Sequence, residues 1–260
     1  MERISSRQNP LVKRFRELAR AAADEHLLLD GQHLLDEAIA SELPIEIAAF
    51  AEKHAEGRLV TLAAKARRAG AKTVAVTDQV LAALSPVQQP SGVVAIARRP
   101  SLTLDAVFKQ RPQLVVMLSD VQDPGNVGAI VRAAEACGAT GLIAGDATAD
   151  PFGWKALRGA MGSTFRLPVA RQHLATAIAA ARDQGIRVLA TVPRGGTPLP
   201  RCDFRQPAAI LLGGEGTGLD TMWLDSSDQR ITIPMKGPVE SLNVAIAAAL
   251  ILYEAARQRG

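Results

Sequence analysis

The chain has few aromatic residues and few cysteines. Aromatic residues make up only 3% of the sequence, which disfavours an extended base-stacking surface of the kind that binds single-stranded nucleic acid. The two cysteines, Cys137 and Cys202, are too few for a disulfide framework or a cysteine metal site. Cys137 falls in a helical apolar pattern and is interpreted as a small core residue.

Metal-ligand clusters, membrane-length segments and a signal peptide are also lacking. The four histidines are scattered, without the spacing of metal ligands. No apolar run reaches the ~18 residues that suggest a membrane span, and the first residues lack the apolar core of a signal peptide. The prediction is a cytoplasmic protein with no resident metal and no membrane contact.

The composition is otherwise that of an ordinary globular protein with a mildly basic charge. The chain has 260 residues, of which 48% are apolar and 22% charged, with a net charge of +4. This length is sufficient for one large or two small domains. The positive balance is compatible with a polyanionic partner but does not require one.

The first part of the chain alternates apolar strands with helices. Asn9-Pro10 predicts a helix start, with Asn as the cap and Pro at the first helical position. Five short strands are predicted, at Leu27–Gly31, Ile45–Phe50, Leu59–Leu62, Val74–Thr77 and Val93–Ala97. This alternation indicates a small α/β domain over residues 1–99, followed by a proline-bounded connection at 100–112.

Basic residues of the first helix allow two interpretations. Lys13 and Arg14 follow Pro10 in a helix whose apolar residues share one face. A solvated helix face and a phosphate-contacting helix explain them about equally well.

Residues 113–260 show a strand–helix rhythm that predicts a parallel sheet with helices on both faces. The predicted strands are Leu114–Leu118, Gly141–Ala144, Ile186–Thr191 and Ala208–Leu212. A turn is expected at 123–126, followed by a helix at Val127–Cys137. Local reasoning alone would stop at an unknotted, doubly wound fold.

Two segments in the last third, Ala208–Leu219 and Ile231–Glu254, carry the most informative patterns. The first is an apolar strand that runs into four glycines, where the backbone must approach something closely. Its one charged residue, Glu215, is expected to need a partner. The second contains a helix that is apolar on all sides from Val244 to Tyr253, so both its own sheet and a second copy of the chain are expected to cover it.

These two segments and a third, Asp120–Leu142 (DVQDPGNVGAIVRAAEACGATGL), occur in the order found in the SpoU (TrmH) family of RNA ribose 2′-O-methyltransferases, which the chain resembles. The resemblance covers residues 113–260. It implies a SPOUT-type catalytic domain with a C-terminal trefoil knot, S-adenosyl-L-methionine as cofactor, a homodimer, and ribosomal RNA as a likelier substrate class than transfer RNA. Residues 1–99 more loosely resemble the ribosomal-protein-like extension that helps such enzymes to recognise RNA.

The resemblance also assigns functional residues. The implied catalytic residues are Arg132, Asn126, Glu215, Ser241 and Asn243. The implied cofactor contacts, chiefly through backbone, are Gly213, Gly214, Ile233 and Leu242. Candidate contacts to RNA are Arg158, Arg166, Lys13 and Arg14.

Each of these residues also has a plainer explanation. Arg132 suits a surface pair with Glu135, Asn126 suits a turn or cap, and Ser241 or Asn243 suits the cap of the last helix. If Arg132 is functional, it is either a proton acceptor or an electrostatic stabiliser and is the expected partner of Glu215. Electrostatics is preferred because an ordinary guanidinium has a pKa above about 12.

Two other functions stay open from the sequence. One is a non-catalytic RNA-binding protein with the same fold, against which the intact set of site residues argues. The other is a nucleotide-binding oxidoreductase, although GGEGTG lacks the G-x-G-x-x-G spacing and follows a late strand.

Overall fold

The computed structural model describes residues 1–20, 25–52, 57–216 and 218–260, and in it the chain forms two α/β units. Unit 1 comprises Met1–Pro100 and Phe152–Phe165. Unit 2 comprises Ser101–Pro151 and Arg166–Gly260. The chain therefore returns to unit 1 for a second passage, which lies inside the range 113–260 that the sequence pattern treats as one domain.

The described residues of unit 1 build a five-stranded sheet in the order β1-β4-β3-β5-β2. Strands β1, β4 and β3 are parallel, and β5 pairs antiparallel with both β3 and β2. The elements of the first passage are β1 (Glu2–Ile4), α1 (Pro10–Arg20), β2 (His26–Asp30), α2 (Gln32–Ala40), β3 (Ile45–Ala51), α3 (Arg58–Arg68), β4 (Lys72–Val76), α4 (Asp78–Leu84) and β5 (Val93–Arg98).

Helix α1 begins where the sequence predicts. The side-chain oxygen of Asn9 accepts a hydrogen bond from the backbone N–H of Leu11 at 2.9 Å. This satisfies one of the N–H groups that the first helical turn leaves without a partner. Val12 and Phe15 are buried in the core of unit 1, so the apolar face of this basic helix faces inward.

The strand predicted at Leu59–Leu62 is wrong, because these residues belong to α3. Leu59, Leu62, Ala63 and Ala66 are the buried residues of this helix, and they recur with a spacing of three or four. The continuation into alanines, lysine and arginines supplies good helix formers. A short apolar run that opens such a segment cannot be distinguished from a strand by its first four residues.

Unit 2 is built on a sheet of seven strands among the described residues, all parallel, in the order β10-β12-β9-β11-β6-β7-β8. This confirms the predicted α/β class and the parallel sheet. The elements of the chain after β5 are α5 (Leu104–Phe108), β6 (Leu114–Ser119), α6 (Pro124–Ala136), β7 (Gly141–Ala144), α7 (Trp154–Ala160), α8 (Ser163–Arg166), β8 (Val169–Arg171), α9 (Leu174–Asp183), β9 (Arg187–Thr191), β10 (Thr197–Pro198), β11 (Ala208–Gly213), α10 (Thr221–Asp225), β12 (Gln229–Thr232) and α11 (Val244–Arg259). Of these, α7 and most of α8 lie in the second passage of unit 1.

The proline-bounded segment 100–112 contains α5. Its residues Val107 and Phe108 are buried in a core cluster of unit 2, together with residues of α9 and of the central strands. Within the segment assigned as a connection, the chain thus already contributes to the core of the second unit.

Helix α11 is anchored at its C-terminal end by Arg259. This guanidinium donates hydrogen bonds to the carbonyl oxygens of Phe204, Pro112, Gln113 and Gln206, at 2.7 to 3.1 Å. Burial lowers the pKa of Arg259 from its ordinary value. The carbonyls belong to the segments that lead into β6 and β11, so the last turn of α11 is tied to the start of both strands.

The sides of α11 differ in burial. Val244, Ala248, Ile251, Leu252 and Ala255 are buried. A second stripe, which we call the α11 stripe, consists of Ile246, Leu250 and Tyr253, and these side chains are exposed. Among the described residues, the helix packs against α6, β11 and the short turn at Leu199–Arg201.

In the part of the chain that the structure describes, no helix is long and apolar enough to cross a membrane. No group of three or more His, Cys, Asp or Glu residues in that part has the arrangement of a metal site.

Candidate active site

The connection from β6 to α6 forms one wall of the candidate site. Helix α6 begins at Pro124, and the carboxylate of Asp123 accepts a hydrogen bond from the N–H of Gly125 at 2.7 Å. The turn predicted at 123–126 is therefore largely the first turn of the helix. The Asp-Pro dipeptide is the physical reason, since Asp is a preferred cap and Pro is favoured at the first helical position. Asn126 lies in this first turn and projects from a helix rather than from a loop.

The glycine loop after β11 forms a second wall, and its close approach is to the chain's own backbone. A side chain at Gly214 would overlap the carbonyl oxygen of Asp120, and one at Gly213 would overlap the backbone of Gly218. Asp120 itself has a positive φ of 57°. Both glycines are therefore required by the local packing of the loop, whatever else they contact. Thr217, in the same loop, lies outside the described residues.

Asn243, Asn126 and Glu215 form a continuous hydrogen-bonded chain, which we call the amide relay. The side chain of Asn243 donates from Nδ2 to Oδ1 of Asn126 at 3.1 Å. Asn126 in turn donates from Nδ2 to Oε1 of Glu215 at 2.6 Å. The relay joins α11, α6 and the glycine loop, which are far apart in sequence.

The direction of the amide relay is dictated by its two ends. The oxygen of Asn243 accepts hydrogen bonds from the N–H groups of Ala245 and Ile246, so its amide nitrogen is the group left for Asn126. At the other end the ionised carboxylate of Glu215 can only accept. Both amides are thereby held in one orientation, and Asn243 both caps α11 and belongs to the amide relay.

Arg132 does not have the partners that the sequence suggested. Within the described ranges it makes no hydrogen bond or ion pair, and it is exposed on α6. Glu135, its alternative surface partner, is paired with Arg166 through two hydrogen bonds of 2.5 and 3.0 Å. Among the described residues the expected Glu215–Arg132 pair is also absent, and Oε1 of Glu215 instead accepts a hydrogen bond from Asn126. The guanidinium is thus left available to an external anion.

The other predicted residues of unit 2 lie in or beside the last segment of the chain. Ile233 follows β12 directly and is half-buried, as is Leu242 next to Asn243. Ser241 is exposed, and in the described part of the structure it has no hydrogen-bond partner. No hydrogen bond among the described residues links Ser241 to the amide relay.

All four candidate RNA contacts have a carboxylate within 4 Å, and for three of them the distance is 3.0 Å or less. Arg14 makes a two-point pair with Glu46, as does Arg166 with Glu135. Arg158 donates one hydrogen bond to Asp30. Lys13 is the most exposed of the four, with 82% of its side chain accessible and Glu17 at a distance of 3.8 Å. The sequence did not identify Asp30 as a buried partner, because nothing local marks a strand-end aspartate as buried.

The walls of the site fit an adenosine-containing ligand. The backbone at Gly216 and Gly218 has no heavy atom within 4 Å of the position where a Cβ would stand. Open space beside a loop backbone lets a purine or a ribose approach it closely, and the backbone of Gly218 is itself bridged to Gly214. Ile233 and Leu242 add partly buried apolar surface, and Glu215 adds negative charge for a cationic ligand.

Two family models match this chain, one for each of two long segments. Residues 113–253 match the model of the SpoU rRNA Methylase family, and residues 9–95 match the MRM3-like substrate binding domain. The chain is 31% identical over 97% of its length, and 98% of the relative's, to the 23S rRNA (guanosine(2553)-2′-O)-methyltransferase RlmP of Bacillus subtilis.

Solved structures resemble the whole chain. The AdoMet-bound rRNA methyltransferase of Sinorhizobium meliloti superposes with a TM-score of 0.88 at 30% identity, covering 98% of this chain and 97% of that one. The SpoU methyltransferase AviRb of Streptomyces viridochromogenes, in complex with AdoMet, gives a TM-score of 0.87 at 30% identity, with coverage of 97% and 98%. A family model that matches more than half of the chain, with a site built on all three expected motifs, leads to one conclusion. The chain belongs to the SpoU rRNA methylase family.

Proposed function

We propose that this protein transfers a methyl group from S-adenosyl-L-methionine to a ribose 2′-hydroxyl of ribosomal RNA. The observation that carries the proposal is similarity over nearly the full length to RlmP, a protein named for this reaction. A uridine 2′-O-methyltransferase of Streptomyces viridochromogenes matches 66% of this chain and 62% of its own length. The cofactor follows from AdoMet-bound family structures that cover nearly the whole chain.

The reaction makes one O–C bond and breaks one S–C bond, so that S-adenosyl-L-homocysteine leaves and the 2′-hydroxyl proton passes to water. When bound, S-adenosyl-L-methionine supplies the methyl group on a positively charged sulfur. The glycine loop at Gly213 and Gly214, with Ile233 and Leu242, is proposed to hold it through backbone contacts. The protein's main task is then to place the 2′-oxygen in line with the methyl group at near-attack distance.

Arg132 is proposed to stabilise the charge that develops on the 2′-oxygen or on an adjacent phosphate. Its exposed and unpaired guanidinium supports this role, because a charge that is free before RNA binds can be committed to the transition state. A role as proton acceptor would require strong desolvation, and the exposed position of Arg132 in the described residues does not favour that.

The amide relay is proposed to position the site rather than to carry protons. Amide groups do not titrate in the physiological range, so Asn126 and Asn243 act through their orientation. They hold Glu215 with Oε1 occupied, and Oε2 has no hydrogen-bond partner among the described residues. Ser241, two residues before Asn243, is proposed to contact the substrate once RNA is bound.

A homodimer is proposed on the basis of the α11 stripe. Ile246, Leu250 and Tyr253 have exposed fractions of 54%, 42% and 65%, and they lie on one side of a helix. Contiguous exposed apolar side chains of this kind mark interaction surfaces. We also propose that the C-terminal segment is knotted through the glycine loop. The hydrogen bonds that link Asn243 through Asn126 to Glu215 in that loop support this proposal.

Unit 1 is proposed to bind the RNA around the target nucleotide. Ribose methylation leaves base identity to be read elsewhere, by RNA shape and by contacts outside the reaction centre. Lys13 is the first candidate for a phosphate contact, and Arg14 and Arg166 are proposed to contribute if RNA displaces their carboxylate partners. Ribosomal RNA of the cytoplasm is the proposed substrate.

Two measurements test this function. Calorimetric titration with S-adenosyl-L-methionine should show binding, and its absence at millimolar ligand would rule out the enzyme. Ribose-methylation maps of ribosomal and transfer RNA, with and without the gene, should differ at a ribosomal position. A difference confined to transfer RNA would overturn the substrate class, and preferential binding of a nicotinamide dinucleotide would support an oxidoreductase instead.

A further inference from the structure

Asp30 is a buried carboxylate at the end of β2. Only 1% of its side chain is exposed. It accepts a hydrogen bond from the hydroxyl of Ser85 at 2.5 Å and one from Nη1 of Arg158 at 3.0 Å. A charge removed from water must be paired to be tolerated, and Arg158 is the cation that meets it. Both residues belong to unit 1.

Arg158 comes from the second passage of unit 1, residues 152–165. Other side chains of this passage are fitted to the unit as well. The indole of Trp154 donates to the carbonyl of Ala19 at 3.1 Å and packs against the core. Phe152 is buried, and the guanidinium of Arg99 lies 4.7 Å from its ring centroid.

The end of the passage fits closely too. Gly162 has a φ of +93°, and a Cβ there would come within 2.7 Å of Cγ of Glu37. The ring of His33 lies 3.3 Å from the carbonyl oxygen of Met161. Residues 152–165 are therefore a built part of unit 1 and not a loop that passes over it.

The sequence assigned Arg158 to RNA, but its charge is already committed. A guanidinium 3.0 Å from a buried carboxylate forms a nearly neutral pair, which attracts phosphate less than a free cation does. Lys155, one turn earlier on α7, is exposed, and in the described residues it faces no carboxylate; its Nζ lies 5.5 Å from the ring centroid of Trp154.

We propose that Asp30 and Arg158 form a positioning pair that fixes residues 152–165 in the RNA-binding unit, where Lys155, not Arg158, meets the RNA backbone. The proposal rests on the proposed function for its reference to RNA. Arg158 then acts through Asp30, and its removal displaces a binding segment. Removal of Lys155 takes away one contact and leaves the segment in place.

The test compares Asp30→Asn, Arg158→Gln, their combination and Lys155→Gln in the full-length protein. Methyl transfer is measured at varied RNA concentration, together with the melting temperature and amide hydrogen exchange of residues 152–165. Asp30→Asn and Arg158→Gln should each raise the KM for RNA about tenfold and leave kcat within about twofold. Exchange protection of 152–165 should fall in both, and the double variant should be no worse than the worse single one.

Lys155→Gln should raise the KM for RNA several-fold and leave the melting temperature and exchange protection unchanged. Arg158→Lys retains the positive charge, so its hydrogen-exchange protection should be close to that of the wild type. This variant also keeps the test decisive if Arg158→Gln does not fold. The exposed pair of Lys72 and Glu2, 2.9 Å apart in the same unit, is the matched control. Lys72→Gln should change neither KM nor protection.

The opposite pattern would overturn the proposal. If Arg158 is itself an RNA contact, Asp30→Asn frees its guanidinium, so the KM for RNA should stay level or fall while Arg158→Gln raises it. Unchanged exchange protection in Arg158→Gln would also contradict a positioning role. If the proposed function itself is wrong, the wild-type protein will show no methyl transfer. The hydrogen-exchange and melting experiments need no substrate, so they would still show whether the Asp30–Arg158 pair fixes residues 152–165.

Discussion

Arg132 and Arg158 are both arginines on a helix that follows a strand of the parallel sheet, and the sequence assigned both to RNA or to its chemistry. Their surroundings differ. Arg158 donates to a buried carboxylate, whereas Arg132 is exposed and has no partner among the described residues. The comparison teaches that the partner, and not the residue type or its position after a strand, separates a structural arginine from one available for function.

The variant Arg132→Ala is the strongest test of whether the arginine without a partner is the functional one. If the free guanidinium acts as charge develops, turnover should fall about a hundredfold or more, with little change in the affinity for S-adenosyl-L-methionine. Single-turnover methylation and calorimetry measure the two quantities. Arg205→Ala is the control, since Arg205 is exposed and paired with Asp203.

Arg132→Lys sharpens the result. Lysine keeps the charge, loses the planar fork and releases a proton more easily. Rescue at every pH supports electrostatic stabilisation, and rescue that increases with pH supports proton transfer. Wild-type turnover in Arg132→Ala would contradict the active-site assignment.

The next test asks whether an unpartnered apolar face, like an unpartnered charge, marks a contact. Leu250→Glu should weaken self-association by about 2 kcal/mol, because it removes a leucine from the proposed interface. Sedimentation velocity across a concentration series measures it. Since Leu250 is 42% exposed in the single chain, the secondary structure should remain. A wild-type protein that is monomeric at micromolar concentration would contradict the dimer.

A third test asks whether Asn243 supports the site as Asp30 supports residues 152–165. Asn243→Ser can still cap α11 but is too short to donate to Asn126 across the observed 3.1 Å contact. We expect kcat to fall about tenfold, an effect typical of a lost positioning hydrogen bond, with a melting temperature near that of the wild type. Asn243→Ala should lose activity and also about 1 kcal/mol of stability. Equal kcat in wild type and Asn243→Ser would make the residue a cap only.

The smallest effect is expected at a surface counterpart of the Asp30–Arg158 pair. Hydrogen bonds from Arg257 and then Gln258 lower the pKa of Glu254 from 4.5 to about 2. Because the folded-state pKa is lowered, the stabilisation is present above pH 4.5 and is lost as the pH falls towards 2. Urea unfolding of Glu254→Gln and the wild type should differ slightly at pH 6 and converge near pH 2. A difference that increases in acid would contradict the assignment.

Much of the fold follows from local patterns. The buried strands β6, β7, β9 and β11 are continuous apolar runs, and Asn9-Pro10 and Asn243 mark helix starts by side-chain chemistry. The errors occur where local signals are ambiguous. Leu59–Leu62 begins a helix with a run short enough for a strand, and the strands β1, β8 and β10 have only two or three residues.

The proximity of three candidate site residues was predictable, but the pairing of the charged side chains was not. The three motifs bring Asn126, Glu215 and Asn243 together, and the structure joins them in one relay. Which carboxylate meets which cation depends on contacts between distant segments. The Glu135–Arg166 and Asp30–Arg158 pairs span 31 and 128 positions, so no spacing in the sequence indicates them.

Unit 1 consists of two separate segments of the chain, and this affects how chimeras between such proteins should be designed. A chimera that exchanges only residues 1–100 with a relative would place a foreign strand end beside Arg158 and a foreign core beside Trp154. A transplant of RNA specificity should therefore carry residues 152–165 with residues 1–100, as two inserts on one recipient backbone. On the proposed function of unit 1, the segments that confer substrate choice are discontinuous in the gene.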